Sequence, residues 1–295
     1  MGEAITDGTD STARALARVA EPFHAVSYYS RECADWSEAG YKGWWHAYFA
    51  YRPAPMGAVT APTVTAAFYN FAPRMVERAV PGVWDIHSPA EATAIRLERV
   101  EAALGRIFGT AESTRQAASE ALELIRPVGD APGVARPVYA GYADLEWPSD
   151  PILGLWHGCT LLREYRGDSH NIALADAEVD GVACHVLMVG RGHGNRPTIT
   201  AIRGWTDEEW AVAVDDLRGR GWIDADGALT EAGNIARKGI EQATDRLMGD
   251  PVKRLGEDGT ARLIELVRPM VDQLANNGEV SGRWPPEHVM KPAEG

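Results

Sequence analysis

A chain of 295 residues, 45% of them hydrophobic, has material for one large domain or two of medium size. Its net charge of -13 weighs against polyanionic partners and anionic membrane surfaces, as a prior that a local patch can override. Three cysteines, Cys33, Cys159 and Cys184, have no CxxC spacing, which argues against a disulfide framework and fits a reducing cytoplasm.

No charged leader and no run of roughly 18 apolar residues occurs, so a cytoplasmic protein with no membrane partner is expected. Residues 1–12 are polar and expected to fray. Thr12 to Ala20 can form a short helix ending before Glu21-Pro22, and a second is expected over Ala25 to Ala39. The stretch from Gly40 to Gly57 is the densest in aromatics. It predicts a helix that Pro53 stops at Arg52, followed by a stiff Pro-Ala-Pro connector. Thr60 caps the next helix, in which Val64, Phe68, Phe71 and Met75 share one face, with Pro73 placed to kink or end it. Ser88-Pro89 opens a strong helix with Leu97, Val100, Leu104, Ile107 and Phe108 on its inner side. Another helix follows from about Glu112 to Ile125. Arg126 to Ala140 is rich in Pro and Gly and reads as a linker.

The second half begins at Asp150-Pro151 with a helix to about Arg166 that buries Ile152, Leu155, Trp156, Cys159 and Leu162; Arg166-Gly167-Asp168 then turns the chain. Ser169 can cap a helix to about Glu178, and another is expected from Val182 to Gly190. The loop from Arg191 to Pro197 is basic and flexible, the first place to look for an anion contact. Thr206 and Glu209 form a Thr-x-x-Glu capping box, and Trp210, Val214 and Leu217 behind it recur on one helical face. Trp222-Ile223 and Ala228-Leu229 read as short strands around an Asp226-Gly227 turn. Thr230 can cap a last helix with Ala236, Ile240, Ala243 and Leu247 inward. The expected organisation is a helical N-terminal domain over 1–125, a linker over 126–149, a second domain over 150–250, and a C-terminal helix and tail over 251–295. Laying Ser88 on Thr206 superposes the helices that follow, so the N-terminal half reads as a degenerate second copy.

Helix, tight hairpin, Leu229-Thr-Glu-Ala-Gly233 and helix, in that order, resemble the end of the MarR-type winged-helix family. Over the whole chain, EPFHAVSYYS at Glu21, YFAYRPAPMG at Tyr48, FYNFAP at Phe68, LWHGCTLLREYRGDSH at Leu155 and RGWTDEEW at Arg203 resemble an actinobacterial helix-turn-helix, MarR-like family. The resemblance implies a mainly α fold whose C-terminal winged-helix domain carries one short β-hairpin. It also implies a DNA-reading recognition helix, leaves a homodimer open, and carries over no catalytic residue.

The charges oppose that role for the helix. A DNA-reading helix supplies cations to phosphates and Arg, Asn or Gln to bases. Here it opens with Asp207, Glu208 and Glu209 and carries Asp215 and Asp216 against Arg218 and Arg220, while the Asp224-Ala-Asp226-Gly turn has no basic residue. Six Arg or Lys against ten Asp or Glu leave residues 203–247 at a net -4.

Two constellations are candidates for chemistry. Arg163 and Arg166 share a helical face with Ile152, Trp156 and Cys159, and a guanidinium on an apolar face needs an anionic partner. That partner is Glu164 or Asp168 or a helix C-terminus, or else the carboxylate or phosphate of a ligand in a cleft between the halves, with His170 beyond the turn. His157, Glu164 and Asp168 form one helical stripe of metal-ligand types, but residues seven apart lie about 10 Å apart. The stripe therefore reads as a solvated polar face, and no metal is expected. The second constellation is aromatic: Trp44, Trp45, Tyr48, Phe49 and Tyr51 with Phe68, Tyr69 and Phe71, as core or as a pocket wall. Arg52, its direction fixed by the proline turn, can stack on these rings or hold an anion. His24 is a core residue or faces the same pocket.

The ligand-binding set is thus Arg52, His24, Trp45, Tyr69, Phe71, Trp156, Arg163, Arg166 and His170. No dinucleotide loop, P-loop, nucleophile elbow or His-Glu-x-x-His occurs, so no cofactor is expected and no catalytic residue can be named. The first functional reading is a small-molecule-binding protein on a winged-helix scaffold, with an interdomain aromatic and Arg pocket for an aromatic or anionic ligand and with DNA binding weak or lost. The alternatives are a MarR-like transcriptional regulator and an enzyme of secondary metabolism.

Overall fold

The computed structural model describes residues 11–34 and 36–279. The fraying expected at the N-terminus falls almost entirely outside the described residues, as does the tail from 280 to 295.

The chain is mainly helical. Ser11 caps α1 (Thr12–Tyr29), which runs through Pro22 instead of stopping before it. The proline forfeits one backbone hydrogen bond, but Val19, Ala20, Phe23, His24 and Val26 around it are buried, and that packing carries the helix across. The helix expected over Ala25 to Ala39 therefore reduces to the end of α1 and two short 3-10 turns. α2 (Trp44–Tyr51) ends at Arg52, as Pro53 requires. α3 (Ala61–Phe68) stops short of Pro73, which instead opens α4 (Pro73–Glu77). Ser88 and Glu91 cap α5 (Pro89–Phe108) reciprocally, the Ser88 N–H reaching Glu91 at 2.8 Å and the Glu91 N–H reaching Ser88 at 3.3 Å. α6 (Glu112–Ile125) follows.

Within the Pro/Gly-rich stretch lies α7 (Pro137–Ala143), with Val138, Tyr139 and Tyr142 buried; the Tyr139 hydroxyl donates to the Val128 carbonyl at 2.6 Å. α8 (Pro151–Asp176) continues unbroken through Gly167, where a turn was expected. A helical glycine costs about 1 kcal/mol, less than is returned by burying Leu161, Leu162 and Tyr165 before it. α9 (Gly181–Gly190), α10 (Arg196–Arg203), α11 (Asp207–Gly219), α12 (Glu231–Leu247) and α13 (Gly249–Asn276) complete the order.

The expected pair of strands is a correction. Among the described residues there is no strand, only an isolated antiparallel bridge between Ile223 and Leu229. The Asp224 N–H bonds the Ala228 carbonyl at 2.9 Å and the Thr230 N–H bonds Trp222 at 3.0 Å, but α12 begins directly after Thr230, so no ladder builds up.

The described residues divide into two compact units, one of residues 11–34, 94–167 and 245–279, the other of 36–93 and 168–244. In the first, α13 packs along α1 and α6, burying Leu16, Phe23, Ile125, Leu263, Val267 and Leu274. In the second, α11 packs on α9 and α3 on α4, around Phe49, Val64, Phe68, Phe71, Trp210 and Leu217. No helix among the described residues is long and apolar enough to cross a membrane.

Candidate functional site

In the second unit, α10 and α11 are joined by Gly204-Trp205-Thr206. Asn195 caps α10, accepting from the Thr198 N–H at 3.0 Å. Gly204 ends it with φ 78, and a Cβ there would lie 2.8 Å from that of Met75, so both conformation and space require glycine. The capping box then starts α11: the Thr206 N–H reaches Glu209 at 2.8 Å and the Glu209 N–H reaches the Thr206 hydroxyl at 3.2 Å. Trp210, Ala213 and Leu217 face inward, with Val214 half-buried.

The outer face of α11 presents Asp207, Glu208, Ala211, Val212, Asp215 and Asp216, and Val212 is 71% exposed. Nearby arginines are engaged within the protein. Arg196 pairs with Asp207. Arg220 pairs with Asp216 at 2.8 Å. Arg218 donates to the carbonyls of Asp224 at 3.2 Å and Ala225 at 2.8 Å.

The segment from Phe68 to Met75 is bonded to this helix pair. Tyr69 has φ 56 and ψ -52, and the Asn70 N–H closes onto the Phe68 carbonyl at 2.6 Å. This is a γ-turn of the rare positive-φ kind, a conformation costing on the order of 1–3 kcal/mol for a residue with a side chain. It is offset by neighbouring bonds. The Tyr69 hydroxyl donates to the Val179 carbonyl at 2.7 Å, and the Asn171 amide to Ala67 at 2.9 Å. The Asn70 carbonyl accepts from His185 Nε2 at 3.1 Å and Trp205 Nε1 at 3.2 Å. The Ala72 N–H donates to the Arg203 carbonyl at 2.9 Å. Arg74 clasps the Glu209 carboxylate and the Gly204 carbonyl. Gly181 is what lets α9 approach, since a Cβ there would sit 2.4 Å from the Tyr69 oxygen.

Around this turn the aromatic constellation assembles. Trp45 packs on Phe71 with ring centres 5.6 Å apart. Arg52, 8% exposed, lies over Phe68 at 4.2 Å and donates to the Tyr48 hydroxyl at 2.9 Å. Arg203 lies over Phe71 at 4.2 Å. Arg52, Trp45, Tyr69 and Phe71 are therefore brought into one unit. His170 belongs to it too, but its Nδ1 meets the Thr244 hydroxyl at 3.0 Å.

His24, Trp156, Arg163 and Arg166 lie in the first unit. Trp156 stacks on His24 at 6.4 Å and donates to its carbonyl at 3.2 Å. Thr160 gives its hydroxyl proton to the Trp156 carbonyl at 2.9 Å, so it can only accept from His24 Nδ1, at 3.0 Å. His24 Nε2 meets the Tyr28 hydroxyl, also at 3.0 Å. Arg163 pairs with the fully buried Glu164 at 2.7 Å and with Glu21 at 3.3 Å; Arg166 pairs with Asp245 at 2.8 Å.

The stripe of His157, Glu164 and Asp168 is buried, contrary to the solvated face expected. Among the described residues no grouping could hold a metal ion. His157 packs edge-on to Trp147 at 4.8 Å, its Nε2 has no hydrogen-bond partner, and burial, then the charge of Arg96, pushes its pKa down to about 4.

Arg96 is the residue the sequence reading missed. It is buried, bonds Ser27 at 3.0 Å and the Tyr142 hydroxyl, and lies over the rings of Trp156, Tyr142 and Tyr28. The signal was available: Arg96 stands one helical turn before Val100, on the buried side of α5.

Two helices joined by a tight turn, the second seated on the helix preceding both, define a helix-turn-helix protein. The profile of the helix-turn-helix family matches residues 13–281, and the chain belongs to that family. No curated protein and no solved structure matches it.

Proposed function

We propose that this is a small-molecule-binding helix-turn-helix protein of MarR-like, winged-helix type, cytoplasmic, with DNA binding weak or lost. The observation that carries the reading is the outer face of α11, where exposed carboxylates predominate and the adjacent arginines are spent on Asp207, Asp216 and wing carbonyls. Those surface pairs are weak, so what opposes a duplex is the sign of the face, where carboxylates outnumber the guanidiniums that phosphates would seek. The Ile223–Leu229 bridge supports reading residues 222–229 as a rudimentary wing. The Ser88–Glu91 box, matching that of Thr206 and Glu209, supports a degenerate second copy in the N-terminal half.

For the ligand, Arg52 over Phe68 and Arg203 over Phe71, with Trp45 packed on Phe71 and Tyr69 between the two phenylalanines in the chain, favour a flat anion such as an aromatic carboxylate. A panel of aromatic carboxylates in a thermal-shift assay tests this. A binder at about 100 times its Kd adds about 2.7 kcal/mol and raises the melting temperature by several degrees, an effect that Arg52→Gln should reduce. A panel without any shift refutes it.

The α10–Gly204–α11 topology favours a second reading, a DNA-binding regulator. Fluorescence anisotropy on duplex DNA at about 50 and 200 mM salt separates the two. The expected result is weak binding abolished by the higher salt. A Glu208→Lys, Asp215→Lys, Asp216→Lys variant should bind at least about tenfold more tightly, with a steeper salt slope. A specific, salt-resistant wild-type complex would make the protein a regulator instead.

A further inference from the structure

The turn of the helix pair is fastened by polar groups of one outside segment. The Arg203 carbonyl is held by the Ala72 N–H, the Gly204 carbonyl and Glu209 by Arg74, and the Trp205 indole by the Asn70 carbonyl. We propose that residues 68–75 form a latch that sets the position of α11 and disengages as a unit, with the γ-turn at Tyr69 as its weak point.

Two features distinguish a latch from ordinary packing. A single backbone oxygen, that of Asn70, accepts from both His185 on α9 and Trp205 in the turn, so one rotation of the Asn70–Phe71 peptide, next to the γ-turn, loosens both elements at once. The γ-turn is also strained and lies on a residue with a bulky side chain, so it persists only while its surroundings over-determine it. Letting go relieves the backbone as it breaks the bonds, so the strain offsets on the order of 1–3 kcal/mol of what release costs. Such an element responds to any molecule that binds its two states unequally. Its faces toward Arg52 and Arg203 are Phe68 and Phe71, the rings assigned above to the ligand. The latch therefore deepens the ligand-binding reading by naming how occupancy would reach α11, and only its trigger rests on that reading.

Hydrogen exchange followed by mass spectrometry on the full chain tests the latch without any ligand. Trp205→Phe keeps an aromatic ring and removes the indole donor; Tyr69→Phe removes only the hydroxyl bond to Val179. Each variant is expected to speed exchange by about tenfold, the worth of one net hydrogen bond, in peptides covering 68–75 and 203–209 together, leaving α12 and α13 unchanged. Acceleration confined to the mutated side, spread evenly over the unit, or absent in both variants would overturn the proposal. Should Trp205→Phe fail to fold, Tyr69→Phe carries the same expectation. Adding an aromatic carboxylate that binds should shift exchange of both peptides in the wild type. If it leaves them unchanged while the variants behave as expected, the trigger fails and the latch stands.

Discussion

Stability should fall steeply between about pH 6.5 and pH 4, a range in which most carboxylates are still ionised. Two buried histidines are responsible. His157 is pushed down to about 4 and His185 to about 3, in each case chiefly by burial and then by a neighbouring guanidinium, Arg96 for the first and Arg203 for the second. Both are neutral in the folded chain, whereas the unfolded chain takes up a proton at each near pH 6.5. The unfolded state thus binds more protons at mildly acid pH, and folding loses free energy as pH drops toward the folded values. Their contribution is fully present above about pH 6.5. At 1.36 kcal/mol per pH unit, the losses reach about 3 kcal/mol for His157 and about 5 kcal/mol for His185 once pH has fallen to the folded pKa of each. Glu32, held down to about 2 chiefly by its hydrogen bond to Arg106, adds its loss only as pH falls from its ordinary value of 4.5, so the slope above that pH belongs to the histidines. Urea unfolding at closely spaced pH values measures the slope. His157→Phe keeps a ring against Trp147 and should remove its share; a slope unchanged in that variant would show that His157 does not titrate on unfolding.

What could be read from the sequence was what local chemistry decides. The Thr206–Glu209 box, the stop of α2 at Pro53 and the bounds of α6 depend on side chains a few residues apart, and they fall where expected. The acidic outer face of α11 was legible for the same reason, as a run of carboxylates at helical spacing. Where distant packing outweighs local preference, the reading failed. Pro22 and Gly167 sit inside helices because their neighbours are buried, and α7 forms in a stretch whose prolines and glycines read as linker. The first helix of the turn motif, α10, went unassigned although Asn195 and Thr198 supply its cap, because the glycines before it dominate the window. The γ-turn at Tyr69 had no signal at all, since nothing in Phe-Tyr-Asn-Phe marks a positive φ. Of the candidate site, Trp45, Arg52 and Phe71 converge with Phe68 as an aromatic and cationic group, while the Tyr69 hydroxyl turns to Val179. Arg163 and Arg166 instead meet Glu164 and Asp245.

Gly233→Ala should be strongly destabilising, although the same change at an ordinary helix position is favourable. Gly233 lies in the first turn of α12, in the Leu-Thr-Glu-Ala-Gly stretch, where a Cβ would stand 2.0 Å from the Trp222 carbonyl oxygen and 2.9 Å from its carbon. That carbonyl is not free to swing aside, because it accepts the Thr230 N–H at 3.0 Å. Thr230 is itself tied, its hydroxyl donating to Gly221 at 2.6 Å and accepting from the Gly233 N–H at 3.0 Å. The methyl group must push the segment around Trp222 away from the helix, breaking the cap and unseating Ile223 from the core. Overpacking of this kind costs about 1–3 kcal/mol, and loss of the Thr230 cap adds about 1 kcal/mol. Gly239, farther along α12, is the control, since nothing lies within 4 Å of a Cβ there. Gly239→Ala should stabilise by up to about 1 kcal/mol through helix propensity alone. Chemical denaturation of the two variants should therefore move the midpoint in opposite directions. If Gly233→Ala instead matches Gly239→Ala, the close approach of Trp222 to α12 is wrong.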